Sequence, residues 1–381
     1  MRLRELAEGF SALEATGSRL RSVEVLAQLL RRVTEEELEP AVWLLQGQLR
    51  PSYEGVEVGV GEKLLVGILA EAYDTSEAVV TRRFRQVGDL GLVAESLAPA
   101  APRAGLTVRE AHDELLAVAR MVGPGSTGRK SALLTRVLRG TGGSAARYLV
   151  RIIQGRLRLG VGDQTILEAT ALAALGDRGR KAVVEHAYNV RSDLAGVVRL
   201  AFAEGEDALG KIGPKVGIPV RPALAQRLAS AAAVIERLGT VQAEPKYDGF
   251  RLQLHRRGDQ VWAFSRRLEN VTEMFPELAH GMRRQLTARS AIIEGEAVGY
   301  DPETGEFLPF QVTMKRKRKQ RIAETAESHP VRLFAFDVLY ASGRSYLTRP
   351  LSDRSRELRE LLPFRASDPI VVTDSMTTDR P

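Results

Sequence analysis

The chain has 381 residues, enough for two or more domains that each bury a core. It contains no cysteine, which excludes disulfides, cysteine-ligated zinc and thiol catalysis, and its five histidines lack the spacing of metal ligands. The formal charge of +7 favours a polyanionic partner.

The sequence contains no run of about 20 apolar residues and no leader in which charges precede an apolar stretch. We therefore expect a soluble, cytoplasmic protein with no membrane partner. We also expect it to act as a monomer.

The N-terminal part, residues 1–205, has the apolar spacing of helices, and strand signals are sparse there. One example is a set of apolar residues three or four positions apart: Val25, Leu26, Leu29, Leu30 and Val33. Thr34 and Glu37 form a capping box, and Pro40 is predicted to open the helix that follows.

Two segments of this part resemble each other. Residues 44–50 and 152–158 share a Gln-Gly pair, and each is followed by a Gly-x-Gly turn, at 59–61 and 160–162. A period of about a hundred residues indicates a duplicated helical unit. The backbone N–H groups at these turns could hold a phosphate. Alternatively, the pairs are simply helix C-caps followed by tight turns.

The second copy is richer in arginine, and this favours it as the contact with a polyanion such as DNA. Its arginines are Arg147, Arg151, Arg156 and Arg158. Residues 123–131 resemble a P-loop, but an arginine interrupts the required Gly-Lys pair and no strand precedes it. A loop of this composition suits a DNA phosphate better. We expect DNA contacts from Arg129, Lys130, Arg156 and Arg158.

Residues 206–221 are rich in Gly, Pro and Lys and are predicted to form a linker. The second domain is expected over residues 222–381. Its first clear strand, Phe250 to Arg256, alternates so that Arg251, Gln253 and His255 share one face. The side chains of that polar face can line a pocket.

Lys246, just before this strand, is a candidate nucleophile. An amine reacts only when it is unprotonated, and nearby cations such as Arg251 or a bound metal favour that form. Gly249 allows close approach of the backbone to a ligand, or a positive φ. The lysine of an isolated Lys-x-Asp-Gly is more often a surface lysine beside a turn. Whether Lys246 is a nucleophile therefore depends on the motifs around it.

Two further strands carry candidate site residues. A turn at Gly258-Asp259 leads into a strand that ends before Arg266, whose guanidinium could grip a phosphate. A solvated strand-end charge is the alternative. The strand from Ala291 to Tyr300 places Glu294 and Glu296 on one face, where they suit ribose hydroxyls or a metal. An edge strand with a solvated acidic face is the alternative.

A basic run follows, which can hold a nucleic-acid backbone without reading its sequence, or can form a solvated helix face. The DNA-contact candidates in it are Lys315, Arg316, Lys317 and Arg318, and Lys319 completes the run. After it, Leu333 to Tyr340 reads as a buried strand interrupted by Asp337.

Residues 246–251, Lys-Tyr-Asp-Gly-Phe-Arg, resemble the nucleotidyltransferase motif of ATP-dependent DNA ligases. Residues 265–278, the Glu-Gly-Glu at 294–296 and the strand at 333–340 resemble that family's next motifs in order. Residues 148–165 resemble its helical DNA-binding domain, in the archaeal-type and actinobacterial members. The resemblance implies an all-α DNA-binding domain followed by an α+β nucleotidyltransferase domain.

The resemblance also implies roles for individual residues. Lys246 would be the catalytic lysine. The nucleotide site would comprise Glu244, Asp248, Arg251, Arg266, Glu296 and Phe336. Phe336 would stack on adenine, Glu296 would also contact the metal, and Glu294 would have a weaker supporting role. The lysine would take AMP from ATP with Mg²⁺, pass it to the 5′-phosphate of nicked double-stranded DNA, and so allow sealing in DNA repair, replication and recombination.

In this family a metal-binding glutamate, a paired-lysine motif and an OB-fold follow, whereas this sequence stops at Pro381. We therefore expect a C-terminally truncated ligase without its OB-fold, which binds nicked DNA but seals it poorly. Two alternatives remain open. One is an RNA ligase or capping-type nucleotidyltransferase, which shares the lysine motif. The other is a non-catalytic DNA-binding fragment.

Overall fold

The computed structural model describes residues 1–99, 105–301, 303–313, 316, 322–363, 365 and 368–381. The chain divides into two compact units. The first comprises residues 1–189 and 193–212, and the second comprises 190–192 and 213–381.

The first unit is helical throughout its described part. Its helices are α1 (Leu3–Glu14), α2 (Arg19–Arg32), α3 (Glu35–Leu45), α4 (Glu62–Ala72), α5 (Glu77–Val87), α6 (Leu90–Leu97), α7 (Val108–Arg120), α8 (Ser126–Arg139), α9 (Gly143–Ile153), α10 (Asp163–Ala174), α11 (Lys181–Val190) and α12 (Leu194–Gly210). Their apolar faces meet in one core, to which Phe10, Leu69 and Tyr148 contribute. The prediction of a helical N-terminal part is confirmed.

Helix α3 contradicts one prediction from the sequence. Pro40 does not open a helix but lies inside α3, which begins at Glu35 after the N-cap Thr34. A proline inside a helix leaves the carbonyl four residues earlier without its N–H donor. Here the Arg109 guanidinium of α7 donates to that carbonyl, on Glu36. A tertiary contact thus compensates for the proline.

The two similar segments adopt the same backbone conformation. Helices α3 and α9 each have a glutamine as the C-cap residue, followed by a glycine with positive φ, 69° at Gly47 and 63° at Gly155. Each Gly-x-Gly turn then leads into the next helix, α4 or α10, with its second glycine as the N-cap. The Gln-Gly pairs are therefore helix C-caps, as one of the two readings of the sequence held.

The second unit is α+β. Its elements are α13 (Ala231–Leu238), β1 (Val241–Ala243), β2 (Phe250–Arg257), β3 (Gln260–Ser265), α14 (Pro276–Gln285), β4 (Ser290–Gly299), α15 (Phe310–Thr313), α16 (Ile322–Ser328), β5 (Val331–Ala341), β6 (Arg344–Ser345), α17 (Leu351–Leu361), β7 (Ile370–Val372) and β8 (Met376–Thr378). The main sheet has the order β3-β2-β4-β5-β6, and β7 pairs with β5 in parallel. The short strands β1 and β8 form a separate antiparallel pair.

The two faces of the main sheet differ in character. One face buries Leu252, Leu254 and Ile293 in a core that includes Leu278 of α14 and Leu358 of α17. The opposite face carries the polar side chains of β2 and β4. Because side chains alternate along a strand, the helices that cover the apolar face leave the polar face to form the candidate site.

The predicted linker, residues 206–221, is not a linker over most of its length. Its first residues, 206–210, belong to α12. Val216 and Val220 are buried against Ile292 of β4 and Leu339 of β5. Apolar residues in a stretch rich in Gly, Pro and Lys thus complete the second unit's core.

Within the described ranges, none of the helices combines the length and the apolar character needed to cross a membrane.

Candidate functional site

The centre of the polar face is built by β2 and β4. Arg251 lies opposite Glu296, and Gln253 lies opposite Glu294. Strand β4 runs between β2 and β5, so the alternative of an edge strand with a solvated acidic face is wrong. Glu294 is only 7% exposed, which means that its charge must be compensated by protein or ligand groups.

Glu294 is compensated by two neighbours on β2. One carboxylate oxygen accepts a hydrogen bond from Arg251 Nη2 at 2.6 Å, and the other accepts one from Gln253 Nε2 at 2.9 Å. Arg251 Nε is buried and has no hydrogen-bond partner among the described residues. A buried guanidinium N–H without a partner is unfavourable, which makes it a candidate donor to a ligand that displaces the groups covering it.

Lys246 is exposed, in the segment that precedes β2. Its Nζ lies 3.5 Å from the Tyr247 carbonyl oxygen, which is a weak contact that leaves the amine accessible. The Tyr247 ring stacks on Phe334 of β5, with ring centroids 4.2 Å apart. This stacking, which the sequence did not predict, anchors the lysine motif to the sheet.

Gly249 anchors the motif at a second point. A Cβ at this position would lie 2.3 Å from the Ala297 carbonyl oxygen of β4, so only glycine fits. The expectation of a positive φ is wrong, since Gly249 has none, and the close approach is to the protein's own strand. The Gly249 N–H donates to Glu296 Oε1 at 3.2 Å.

Glu296 is half-buried beside this motif. Burial raises the pKa of its carboxyl, and the opposing effects of the Gly249 N–H and of the Lys246 and Arg251 charges are smaller. The carboxyl therefore binds a proton more readily than an exposed glutamate does. A cation or a hydroxyl donor placed beside it would stabilise the charged form.

A cleft of about 200 Å³ opens on the same face, and Arg251, Gln253, Glu294 and Arg266 are among its lining residues. Arg266 is exposed at the end of β3. The cleft is shallow and open to solvent, so a ligand the size of a nucleotide would fill it only in part.

The turn that carries Arg266 is strained. Leu268 in this turn is buried and has a φ of 64°, a left-handed conformation that is unfavourable for a leucine. Its N–H donates to the Ser265 carbonyl at 2.7 Å. The surrounding contacts therefore fix the direction in which Arg266 leaves the sheet, and no local sequence signal indicated this strain.

The three remaining predicted nucleotide-site residues differ in their surroundings. Phe336 on β5 is half-buried, and the Arg251 guanidinium carbon lies 5.5 Å from its ring centroid. Glu244 and Asp248 are exposed in the lysine motif, and Glu244 accepts a hydrogen bond from Gln242 at 2.5 Å. The hydrogen-bonded cluster at the centre of the face thus contains Arg251, not these two carboxylates.

The described residues contain no group of three or more histidine, aspartate or glutamate side chains that could hold a metal ion. Mg²⁺ commonly binds through one or two carboxylates, with the remaining ligands from substrate phosphates and water. Glu296, whose carboxylate is not tied to an arginine by a hydrogen bond in the described part, fits that kind of site.

In the helical unit, the predicted DNA contacts differ in their surroundings. Arg129, Arg156 and Arg158 are exposed. Lys130 is partly buried, because its Nζ donates to the Val58 carbonyl of the first Gly-x-Gly region at 2.9 Å. Arg129 donates to the carbonyls of Val122 and Pro124, and Arg156 Nη1 lies 3.8 Å from Glu62 Oε2. Because these contacts are exposed, the guanidinium groups can exchange them for a phosphate at little cost.

Two arginines of the second copy have structural contacts instead. Arg151 bridges Glu14 of α1 and Asp89, whose side chain caps α6. Arg147 lies over the Tyr148 ring and contacts Glu95. Both side chains are largely buried, so the expectation that they contribute to a DNA-binding surface is wrong.

Arg316 is likewise not part of a solvated basic surface. It is 2% exposed and forms an ion pair with Glu277 at 2.7 Å, and it also donates to the Met274 carbonyl. Its prediction as a DNA contact is therefore wrong, because its charge is already neutralised inside the second unit. Lys315, Lys317 and Arg318 lie outside the described residues.

Comparisons with known proteins cover both units. Residues 2–171 match the family model described as DNA ligase N terminus, and residues 222–380 match the model described as ATP dependent DNA ligase domain. A "Probable DNA ligase" of Dictyoglomus thermophilum is 40% identical over 379 residues, which are 99% of this chain and 64% of the relative. A "DNA ligase" of Staphylothermus marinus is 39% identical over 380 residues, 95% of this chain and 64% of the relative.

A solved structure named "Pmar-Lig_Pre." covers 98% of this chain and 67% of its own, with a TM-score of 0.51 and 13% identity. At that identity the similarity concerns the fold alone. The chain spans about 64% of the length of these two curated relatives.

Proposed function

The chain belongs to the ATP-dependent DNA ligase family, and we propose that it seals nicks in duplex DNA through an AMP adduct on Lys246. The observation that carries this proposal is the position of Lys246. Its exposed amine is near enough to Glu296 for its charge to offset part of the rise that burial causes in the pKa of that carboxyl, and Glu296 shares a face with Arg251 and Glu294. A nucleophile next to charged groups that are already oriented is the arrangement that phosphoryl transfer requires.

In the first step, the unprotonated amine of Lys246 attacks the α-phosphorus of ATP. An N–P bond forms, the bond from that phosphorus to the bridging oxygen breaks, and pyrophosphate leaves. The amine loses a proton in this step. Arg251, whose Nε is buried and without a partner in the described part, would donate to the nucleotide. Its Nη2 stays fixed on Glu294, so little reorganisation is needed.

In the second step, an oxygen of the 5′-phosphate at the nick attacks the same phosphorus, and the N–P bond to Lys246 breaks. The 3′-hydroxyl then attacks the 5′-phosphorus, AMP leaves, and a phosphodiester bond forms. Arg266, exposed at the end of β3, is positioned to bind a phosphate in these steps.

Mg²⁺, when bound, would neutralise phosphate charge. Glu296 is the carboxylate that fits it best. Burial raises the pKa of Glu296, so its charged form is poorly stabilised by the protein alone. A bound cation or a ribose hydroxyl would stabilise that form.

We propose that the helical unit binds the DNA backbone through the exposed arginines Arg129, Arg156 and Arg158 and through the turns that precede α4 and α10. The exposure of these arginines and the positive end of each helix dipole support this. We also propose that the protein acts as a monomer in the cytoplasm, because one chain carries both candidate sites. Analytical sedimentation of the chain with and without DNA measures its mass and so tests whether it is a monomer.

Incubation with α-labelled ATP and Mg²⁺, followed by a denaturing gel, tests the proposed function. After free ATP is removed, we expect the labelled protein band to lose its label when nicked DNA is added. The label should pass first to the 5′-phosphate strand and then be released as AMP when the nick is sealed. Transfer to nicked RNA in preference to DNA would contradict the assignment to DNA. If the chain binds nicked DNA but never becomes labelled, the proposal that it is an enzyme is contradicted.

A further inference from the structure

Two buried polar side chains on β2 have no role in the steps above. His255 is 0% exposed and Gln253 is 5% exposed. Both lie on the same face of β2 as Arg251, in the direction of the segment that contains Val216 and Val220. Buried polar groups of this kind are retained only when their hydrogen bonds are satisfied, so their partners reveal what they hold in place.

The hydrogen bonds of His255 identify its tautomer. The Gly217 backbone N–H donates to His255 Nδ1 at 3.0 Å, so Nδ1 must be the acceptor. Complete burial lowers the pKa of His255 to about 3, so the ring is neutral at working pH. Its proton is therefore on Nε2, which donates to Gln253 Oε1 at 2.8 Å.

The Gln253 amide uses its full hydrogen-bonding capacity. Its oxygen accepts from the Val220 N–H at 2.8 Å and from His255 Nε2. Its nitrogen donates to the Val220 carbonyl at 3.2 Å and to Glu294 Oε1 at 2.9 Å. An amide rotated by 180° would place like groups together at all four contacts. His255 and Val220 therefore allow only one orientation of the amide.

This orientation directs an N–H at Glu294 and so determines where the carboxylate lies. The second carboxylate oxygen, Oε2, is thereby directed at Arg251 Nη2, 2.6 Å away. The donors thus run in one direction from the Gly217 backbone through His255 and Gln253 to Glu294, which accepts a second hydrogen bond from Arg251. The same amide holds Val220, which lines the cleft with Arg251.

We propose that Gln253, oriented by His255, is a positioning residue for the nucleotide site. It fixes Glu294, and through Glu294 the guanidinium of Arg251, and it ties both to the segment at Val220 that borders the cleft. The proposal rests on the proposed function for the identity of its ligand, an adenine nucleotide. Neither residue touches the reacting atoms.

Two substitutions separate the contributions. Gln253→Met keeps the side-chain length and removes all four hydrogen bonds. Gln253→Glu keeps the acceptor for Val220 and His255 but removes the donors and places a carboxylate beside Glu294. We expect the rate of self-adenylylation at saturating ATP, per folded molecule, to fall roughly tenfold to a hundredfold in Gln253→Met because Arg251 is misplaced. The rate in Gln253→Glu should fall further, because its carboxylate repels Glu294.

The chain offers a matched control in Gln285 on α14. Its amide also clamps a backbone in both directions, donating to the Ile370 carbonyl at 2.9 Å and accepting from the Ile370 N–H at 3.3 Å. It does so on the face of the sheet that is covered by helices. Gln285→Met should lower the melting temperature as Gln253→Met does, and leave the adenylylation rate of the folded fraction unchanged.

A second readout does not depend on turnover. The imidazole nitrogens of His255 are followed by NMR in the Lys246→Ala chain, and their signals are assigned by their loss in His255→Gln. We expect this chain to bind ATP without reacting, because it lacks the nucleophile. ATP should shift the His255 resonances, because the ligand acts on Arg251 and the hydrogen bonds connect the two. The shift should vanish when Gln253→Met is added.

The outcomes are distinguishable. If the unaltered chain forms no AMP adduct, the proposed function is wrong. If it forms the adduct, while Gln253→Met only melts earlier and ATP leaves His255 unshifted, the role of Gln253 is structural and our inference is overturned.

Discussion

Gly249 is the residue at which the lysine motif touches the sheet most closely. Gly249→Ala would place a methyl group 2.3 Å from the Ala297 carbonyl, a contact that real Cβ atoms do not make. Because β4 backbone cannot yield cheaply, we expect a loss of about 2–3 kcal/mol in unfolding free energy. We also expect loss of adduct formation, since Lys246 and the N–H to Glu296 would shift together.

The control is Gly213→Ala, at a glycine without positive φ and with no atom within 4 Å of the added methyl. Both variants are measured by urea unfolding and by adduct formation. Equal, small effects in the two would show that the close approach at Gly249 is unimportant.

His255 makes stability depend on pH. Its folded pKa of about 3 lies below the ordinary value of 6.5, so below pH 6.5 the unfolded chain binds a proton that the folded chain excludes. Stability is therefore lost as pH falls from about 6.5 towards 3, at up to about 1.4 kcal/mol per pH unit. Above pH 7 this contribution is constant.

The measurement is urea unfolding at several pH values, with Trp262 as the reporter. The chain has two tryptophans, so Trp43→Phe leaves a signal from the second unit alone. The slope between pH 6 and pH 4.5 should be about one proton steeper in this chain than in the same chain with His255→Gln. Parallel curves would mean that His255 is not held neutral by burial.

For individual residues, the sequence predicted which side chains share a face of β2 better than it predicted their hydrogen-bond partners. Alternation placed Arg251, Gln253 and His255 on one side of β2, and the structure confirms this. The sequence did not indicate that His255 is fully buried, since the backbone that covers it, at Gly217, comes from the predicted linker. Local patterns carry no information about such distant contacts.

At the scale of elements, the four strands indicated by the sequence, β2 to β5, lie within two residues of their predicted bounds. The short strands β1, β6, β7 and β8 were not predicted. Charged helix positions were less predictable. Arg151 and Arg158 look alike in sequence, but Arg151 meets Glu14, 137 residues away, whereas Arg158 is exposed. Only the packing of α9 on α1 and α6 distinguishes a structural arginine from a candidate DNA contact.

Arg151 accordingly tests the packing of α1, α6 and α9. Its side chain is 13% exposed and bridges two carboxylates, so Arg151→Met should destabilise the helical unit by roughly 3 kcal/mol, because it leaves Glu14 and Asp89 without their cation. The salt dependence of DNA binding should not change. Unfolding followed by Trp43 fluorescence, together with a DNA titration, checks both parts.

The matched variant is Arg158→Met, which should leave stability within about 0.5 kcal/mol and weaken DNA binding. If Arg151→Met weakens DNA binding while the unit stays folded and equally stable, the arginine is a DNA contact after all.

At the scale of the whole molecule, the chain joins a helical unit to an α+β unit, and the sequence predicted both classes. The boundary was predicted less well, because burial of Val216 and Val220 is decided by the sheet they cover and not by their Gly- and Pro-rich surroundings. The chain carries a net charge of +7, so a polyanionic partner should be recognised mainly through charge.

We therefore expect that the chain binds duplex DNA with little sequence preference and that log affinity falls linearly with log salt concentration. Each phosphate contact contributes about 0.9 to the slope, so replacing Arg156 and Arg158 together by alanine should reduce its magnitude by about 1.8. Replacing Arg21 and Arg32, which are as exposed but lie on α2, removes the same charge. A slope reduced equally by both pairs would point to net charge and not to a defined interface.

The central claim is that Lys246 carries AMP. The most direct test is mass spectrometry of the chain after incubation with ATP and Mg²⁺, with digestion to locate the modified residue. We predict one AMP per chain, on the peptide that contains Lys246, and none in Lys246→Ala or Lys246→Arg, because a guanidinium stays protonated. AMP on another residue, or an adduct that survives in Lys246→Ala, would contradict the account.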